Sequence, residues 1–388
     1  MSISYSRQDI VQDDIDAVVE VLQSEFLTQG PIVPRFEQAV ADYCGAQHAI
    51  AVNSATSALH IACMALGIGA GDIVWTSPIT FVASANCALF CGARVDFVDI
   101  DPSTYNLSVG ALAEKLAQAE KNGALPKVVI PVHLSGQPCD MASIHALSQR
   151  YGFKIIEDAS HAIGARYKNE CVGNGRYSDI TVFSFHPVKI ITSGEGGMAV
   201  TNNPDLAASM RRLRSHGITS TPADMAPRPD DEIWNYQQID LGFNYRMTDI
   251  HAALGLSQLK RIDDLIAKRH VLAARYNELL NALPVTIPWQ HPDGYSSLHL
   301  YVIRMKLDKT GASQRQAFNS LHAAGILVNL HYIPVYRQPF YERMGFNKGY
   351  CPQAELYFKE ALSIPLYPAL TQMQQDTVIS ALKQVMPG

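Results

Sequence analysis

Apolar residues along the chain fall into two spacings that alternate through the first half. Residues Ile10–Gln23 and Arg35–Cys44 carry them at helical period. Short continuous apolar runs follow at His48–Asn53, Asp72–Ser77, Val95–Ile100, Val128–His133, Lys154–Asp158, Ile180–Phe185 and Gly197–Thr201, and these predict buried strands. Helical patterns at Ser54–Leu66, Thr80–Cys91, Gly110–Ala119 and Met141–Tyr151 separate several of them. This alternation predicts an α/β fold with a mostly parallel sheet covered on both faces. The last strands follow one another without long helices, so at least one antiparallel member is expected. The Pro- and Asp-rich stretch 220–240 reads as a loop. Thr248 then caps a helical pattern running to about Leu283. The rest reads as α+β: strand His299–Met305, helix Ser313–Ala324, strand Ile326–Tyr332, and helices near Gln353–Leu362 and Thr371–Val385. A chain of 388 residues exceeds one ordinary domain, so we expect a large domain over residues 1–250 and a smaller one over 251–388.

Composition narrows the class of function. Hydrophobic residues make up 47% and charged residues 17%, enough apolar material for a large core. A net charge of −5 and the lack of a Lys/Arg-rich block give no reason to expect nucleic-acid binding. The seven cysteines are scattered, without a Cys-x-x-Cys pair. They predict reduced thiols rather than a disulfide framework or zinc site, and no metal is expected. The start of the sequence lacks a basic segment followed by an apolar core, and the apolar stretches are interrupted before they would span a bilayer. The expectation is a cytoplasmic protein.

Four segments carry possible chemistry. In "AVNSATSALHIA", a strand ends at Asn53 and Ser54 caps a helix whose free N–H groups suit a phosphate, with Thr56 and Ser57 as further donors. Read alone, a capped core helix without a ligand is the commoner meaning of this pattern. In "KIIEDASHAIGA", Glu157 and Asp158 stand at the carboxyl end of a strand, where ligands of open α/β sheets collect, and His161 follows. A strand-end Asp capping a turn has the same pattern. Phe81 opens a helix after a strand and can stack on a planar ligand or simply fill the core. In "FSFHPVKIITSGEGGMAVTNN", Lys189 sits among apolar residues. A free lysine, with a pKa of about 10.4, is a poor nucleophile at neutral pH; apolar surroundings lower that value and let the amine capture a carbonyl as a Schiff base. Judged alone, a solvated loop lysine is the commoner case. "GIGAGD" (67–72) follows a helix and lacks dinucleotide-loop spacing, and no Gly-x-Ser-x-Gly, P-loop or His-Glu-x-x-His pattern is present.

In order, "EDASHA", "FSFHPVK" and "GEGGMAVTNN" resemble the fold type I, pyridoxal phosphate (PLP)-dependent sugar-nucleotide aminotransferases of the DegT/StrS type. The likeness runs from "FLTQGPIVPRFEQAVADYCGAQHAIAVNSATSALH" through "PVHLSGQPCDM", "LGFNYRMTDIHAALGLSQLKRID" and "HLYVIRM" to "LVNLHYIPVYRQPFY" and "LSIPLYPAL". Within the family, "LTQG", "VNSATSAL" and "VNLHYIPVY" are most similar to PseC-type enzymes. The resemblance implies a large domain built on a seven-stranded sheet plus a small C-terminal domain. It implies transfer of nitrogen from L-glutamate to C4 of UDP-2-acetamido-2,6-dideoxy-β-L-arabino-hexos-4-ulose, on the route to pseudaminic acid. It also implies roles. Lys189 carries PLP, Asp158 faces the ring nitrogen, Phe81 stacks on the ring and His161 lies by the phenolic oxygen. Thr56, Ser57 and Ser184 bind the phosphate, and Asn244 reaches the phosphate bound by the neighbouring subunit, so a homodimer with shared sites is expected. Tyr5, Thr28, His331 and Tyr336 lie in segments that line the nucleotide-sugar site. Glu25-Phe26, just before "LTQG", departs from the basic and polar pair of PseC-like sequences and bears on local sugar or diphosphate contacts. Amination of another UDP- or dTDP-linked keto sugar, at C4 or C3, and a non-catalytic PLP-binding regulator are the alternatives. Sugar-dehydrating relatives replace the lysine by histidine, so Lys189 argues against dehydration.

Overall fold

A computed structural model describes residues 2–229, 231–233 and 235–386. Its centre is a seven-stranded sheet: β1 His48–Val52, β2 Ile73–Thr76, β3 Arg94–Phe97, β4 Val128–Ile130, β5 Lys154–Asp158, β6 Ile180–Ser184 and β7 Gly197–Thr201. The spatial order is β1-β7-β6-β5-β4-β2-β3. Only β7 is antiparallel to its neighbours; six strands run the same way. The strands read as continuous apolar runs because both faces are covered: Ile156 packs into one core and Ile155 into another.

This order places the site. β1, β6 and β5 end on one edge of the sheet, and β7 begins there, with Gly197 opposite both Val52 and Ser184. Residues distant in sequence, at 53–56, 158–161, 184–189 and 196–197, therefore meet on one rim. That is where open α/β sheets bind ligands.

Helix boundaries agree with the apolar spacing to within a few residues, with four informative differences. Phe81 precedes its helix, which spans Ala83–Phe90. The pattern from Thr248 to Leu283 is two helices, Asp249–Leu259 and Ile262–Leu280. The break falls where Arg261 turns back to donate to the buried Asp14 carboxylate, 2.9 Å away, and to the Asp9 carbonyl. The first of these helices packs on Gln12–Leu22 and Ile32–Cys44, and the second crosses into the C-terminal core. This second helix contributes Ile262, Leu265 and Ile266 to one core and Leu272, Ala273, Tyr276 and Leu280 to the other. The stretch 220–240, which includes residues 230 and 234 outside the described ones, also forms a short strand: Gln237–Gln238 pairs with Ile218–Thr219. Finally, of the strand expected over Ile326–Tyr332, only Ile326–Leu327 is extended in a sheet, parallel to Ile3–Ser4. Residues 329–333 leave it and line the cavity described next.

The C-terminal core packs around a three-stranded antiparallel sheet of Val285–Thr286, Tyr301–Met305 and Ala361–Ile364.

Candidate active site

A cavity of about 620 Å³ opens over the rim of the sheet. Its parts are best taken by the element that positions each.

The helix Ala55–Ala65 starts immediately after β1. Ser54 caps it by accepting the Ser57 N–H at 3.1 Å. Gly197 backs onto this turn so closely that a Cβ there would lie 2.4 Å from the Ala55 nitrogen and 2.5 Å from the Ser54 carbonyl carbon. A glycine is needed for that approach. Thr56 and Ser184 face the cavity beside this helix end. Ser57 does not line it: its hydroxyl donates to Asn53 Oδ1 at 2.7 Å.

Asp158 ends β5 and is buried. Its Oδ2 accepts from the Ser84 hydroxyl at 2.6 Å, and its Oδ1 accepts from the Ser160 N–H at 3.1 Å. Ser84 is itself bonded to Thr80 Oγ1 at 2.7 Å. Because the carboxylate only accepts, Ser84 donates to it and Thr80 donates to Ser84. Behind it, Glu157 is locked by His133 at 2.7 Å and by Thr181 at 3.1 Å. Phe81 leaves 58% of its surface exposed and presents its ring to the cavity.

Lys189 lies on the turn after β6, held by its own N–H to the His186 carbonyl at 2.9 Å. Its side chain is partly buried in the cavity wall. Loss of hydration pulls its pKa down from 10.5 to about 8, and the Asp158 carboxylate opposes that shift. Four histidines share the wall with it, the exposed His186 and three buried ones, His161, His299 and His331. Burial, followed by repulsion from the Lys189 charge, lowers the pKa of His161, and burial lowers His331 to about 3. His299, also depressed by burial, packs 4.4 Å from His161 between ring centres. All three are neutral at working pH.

These shifts predict a measurable titration. In cofactor-free protein, the rate at which Lys189 captures pyridoxal phosphate should rise with pH about a midpoint near 8. In Asp158→Asn the midpoint should move down, because the opposing carboxylate charge is gone. Stopped-flow absorbance across pH 6–11 measures both, and a wild-type midpoint at the ordinary lysine value would contradict the burial argument.

Of the residues expected from sequence, Thr56, Phe81, Asp158, His161, Ser184, Lys189, Tyr5 and His331 do gather on this one cavity. Tyr336 does not. It is fully buried beneath Phe97, and its hydroxyl donates to Glu355 at 2.9 Å. The wall is built instead from Asn329 to Ile333, a few residues earlier. Thr28 is exposed and paired with Thr248, and Asn244 is exposed and paired with Ser215; neither lines the cavity of its own chain. Sequence reading missed Ser84, Tyr332, His299 and Asn329. For Ser84 a signal existed, since it lies one helical turn after Phe81.

The arrangement fits pyridoxal phosphate. A capped helix end with two hydroxyls offers a phosphate cradle, closed behind by Gly197. A buried carboxylate stands at the strand end, a flat ring at the mouth, and an amine of lowered pKa on the wall.

Comparison with known proteins agrees. Residues 8–383 match the model of the DegT/DnrJ/EryC1/StrS aminotransferase family. The chain is 38% identical over 389 residues to the spore coat polysaccharide biosynthesis protein SpsC of Bacillus subtilis, covering 100% of this chain and 97% of the relative. It is also 38% identical over 391 residues to the UDP-4-amino-4,6-dideoxy-N-acetyl-β-L-altrosamine transaminase of Campylobacter jejuni, covering 100% and 99%. Among solved structures, Helicobacter pylori PseC, an aminotransferase involved in the biosynthesis of pseudoaminic acid, superposes with a TM-score of 0.89 at 31% identity over 100% of both chains.

Proposed function

The chain belongs to the DegT/DnrJ/EryC1/StrS aminotransferase family, whose members depend on PLP, and on that footing we propose which amino group it moves and where. The donor is L-glutamate. The acceptor is C4 of UDP-2-acetamido-2,6-dideoxy-β-L-arabino-hexos-4-ulose, and the product is UDP-4-amino-4,6-dideoxy-N-acetyl-β-L-altrosamine. The observation that carries this reading is full-length similarity to a transaminase of that name, together with the fit to PseC over the whole of both chains.

When bound, PLP supplies an electron sink for the charge left as a proton leaves the carbon bearing nitrogen. The residues of this chain do the rest. Lys189 holds the cofactor and then, as a free amine with its pKa near 8, takes and returns the proton. Asp158, oriented by the Ser84 and Ser160 bonds, holds the proton on the ring nitrogen. Phe81 covers the ring. Thr56, Ser184 and the free N–H groups after Ser54 hold the phosphate. His161 lies beside the phenolic oxygen, and Tyr5 and His331 take the sugar.

Among the lining residues Lys189 is the sole lysine or arginine, whereas cofactor and substrate together bring a phosphate and a diphosphate. This favours a site shared between two copies, with Asn244, exposed and outside its own cavity, reaching the phosphate in the neighbouring one. Seven free cysteines favour a reducing compartment, and we take it to be the cytoplasm. No helix among the described residues is long and apolar enough to cross a membrane.

A second reading follows from the equal identity to SpsC, whose name states no sugar: the acceptor is another UDP- or dTDP-linked keto sugar. A substrate panel decides. With PLP and glutamate, the protein is expected to aminate the L-arabino UDP 4-keto sugar in preference to dTDP-linked 3-keto and 4-keto sugars. Mass spectrometry and NMR of the product fix the position of nitrogen. Absence of amination of the L-arabino sugar would rule out the first reading and leave the second.

A further inference from the structure

We propose that Tyr332 donates a hydrogen bond from its hydroxyl to the carbonyl oxygen of the keto sugar, and that a one-way relay from the Ser135 backbone through His161 fixes it in that role. The proposal rests on the reading above that the amino acceptor is a keto sugar.

The direction of the relay follows from its first link. The Ser135 backbone N–H points at Nδ1 of His161, 3.3 Å away. A backbone N–H can only donate, so Nδ1 is a bare acceptor and the ring proton sits on Nε2. An imidazolium or the opposite tautomer would set two N–H groups against each other. Nε2 lies 3.2 Å from Tyr332 Oη, so His161 donates to the tyrosine oxygen. The Tyr332 proton is then directed away from His161. It has no other hydrogen-bond partner among the described residues, and Tyr332 lines the cavity.

The first link is rigidly made. Ser135 holds φ at 60°, an uncommon conformation for a residue with a side chain, and Gly136 follows at φ 94°. A Cβ on Gly136 would lie 2.5 Å from Ser297 Oγ and 2.9 Å from the His161 carbonyl oxygen. Ser297 in turn donates to that carbonyl at 2.7 Å. The turn, the histidine backbone and residue 297 are packed as one unit, so His161 has little freedom to turn its ring. The two rings lie nearly parallel, 6.2 Å apart at 20°.

The position of Tyr332 points to the sugar. It bridges His161, on the cofactor side, and the wall of Tyr5 and His331; its ring centre is 5.0 Å from His331 and 6.4 Å from Phe81. A sugar hydroxyl can give or accept a hydrogen bond, but a carbonyl can only accept. A group fixed as donor therefore suits the carbonyl carbon at which nitrogen is exchanged, and helps polarise it. Burial and the nearby Tyr5 and Asp158 raise the tyrosine pKa, which keeps the proton in place.

The two half-reactions separate this role from a general one. In Tyr332→Phe, the half-reaction with glutamate alone should stay within about twofold of wild type, while that with the keto sugar falls about 10- to 100-fold. Equal loss in both halves, or no loss with the sugar, overturns the proposal. A second measurement needs neither variant nor turnover: ring ¹⁵N spectra of histidine-labelled protein, with and without PLP, should show His161 as the Nε2–H tautomer. An Nδ1–H tautomer also overturns it. If the accepted sugar is a dTDP 4-keto sugar, the assignment of the UDP sugar fails, yet the same asymmetry is expected, because the relay reads the carbonyl and not the nucleotide.

Discussion

Lys189→Ala is expected to abolish sugar amination, lowering turnover by about a thousandfold or more, while leaving the fold intact. The lysine is the sole primary amine on the cavity wall among the lining residues, so no neighbour takes over its proton transfer. Its turn does not depend on its side chain. The Lys189 N–H bonds the His186 carbonyl, and the Ser6 hydroxyl donates to the Val188 carbonyl at 3.1 Å. Stability should even be favoured. Burial lowers the folded-state pKa to about 8 from an ordinary 10.5, so below pH 8 the folded chain bears the cost of a poorly hydrated ammonium. That cost is relieved as pH rises through 8. Removing the side chain removes it at neutral pH, so with both proteins free of cofactor the variant should melt at or above the wild-type temperature at pH 7. Thermal denaturation checks this. Borohydride reduction and peptide mapping of the wild type should place a pyridoxyl group on Lys189. Wild-type turnover in the variant, or an adduct at another residue, would refute the assignment.

Asp158→Asn is the second large effect, and it acts through charge rather than shape. The asparagine keeps the volume of the carboxylate; its one oxygen can still accept from the Ser160 N–H, while its amide nitrogen, at the place of the second oxygen, donates to the Ser84 hydroxyl. What it loses is the negative charge that, in the proposed role, keeps the ring nitrogen protonated. We expect turnover to fall by about 10²- to 10³-fold, in line with removing one preorganised electrostatic partner. Both half-reactions should fall together, because both use the same ring. This distinguishes Asp158 from Tyr332, whose loss should fall on the sugar half alone. Single-turnover absorbance changes with glutamate and with keto sugar measure each half separately. A variant within about threefold of wild type in both would remove Asp158 from the mechanism.

The strands of the central sheet and the helices over residues 54–66 and 141–151 were legible in the sequence because they depend on local pattern, as was the order of the motifs that carry Lys189 and Asp158. A buried strand needs a run of apolar residues, a helix start needs a cap, and a family motif keeps its residues in order. Ser57 and Tyr336 show where such reading stops. A hydroxyl in a phosphate-binding segment can turn to Asn53, and a tyrosine in a substrate-lining segment can bury itself on Glu355. Neither outcome has a sequence signature, because side-chain direction is decided by packing against elements far along the chain.

Fold class, family and the residue types available for the chemistry follow from the order of residues alone. Which of them share a cavity is set by the packing of distant elements. The strand order lays the ends of β1, β6 and β5 beside the start of β7, and so joins residues over a hundred positions apart, such as Thr56 and Asp158. That packing also decided protonation and direction. The lowered pKa of Lys189 and the tautomer of His161 are set by burial and by a single backbone N–H from another loop, and both are properties of a packed neighbourhood rather than of a residue.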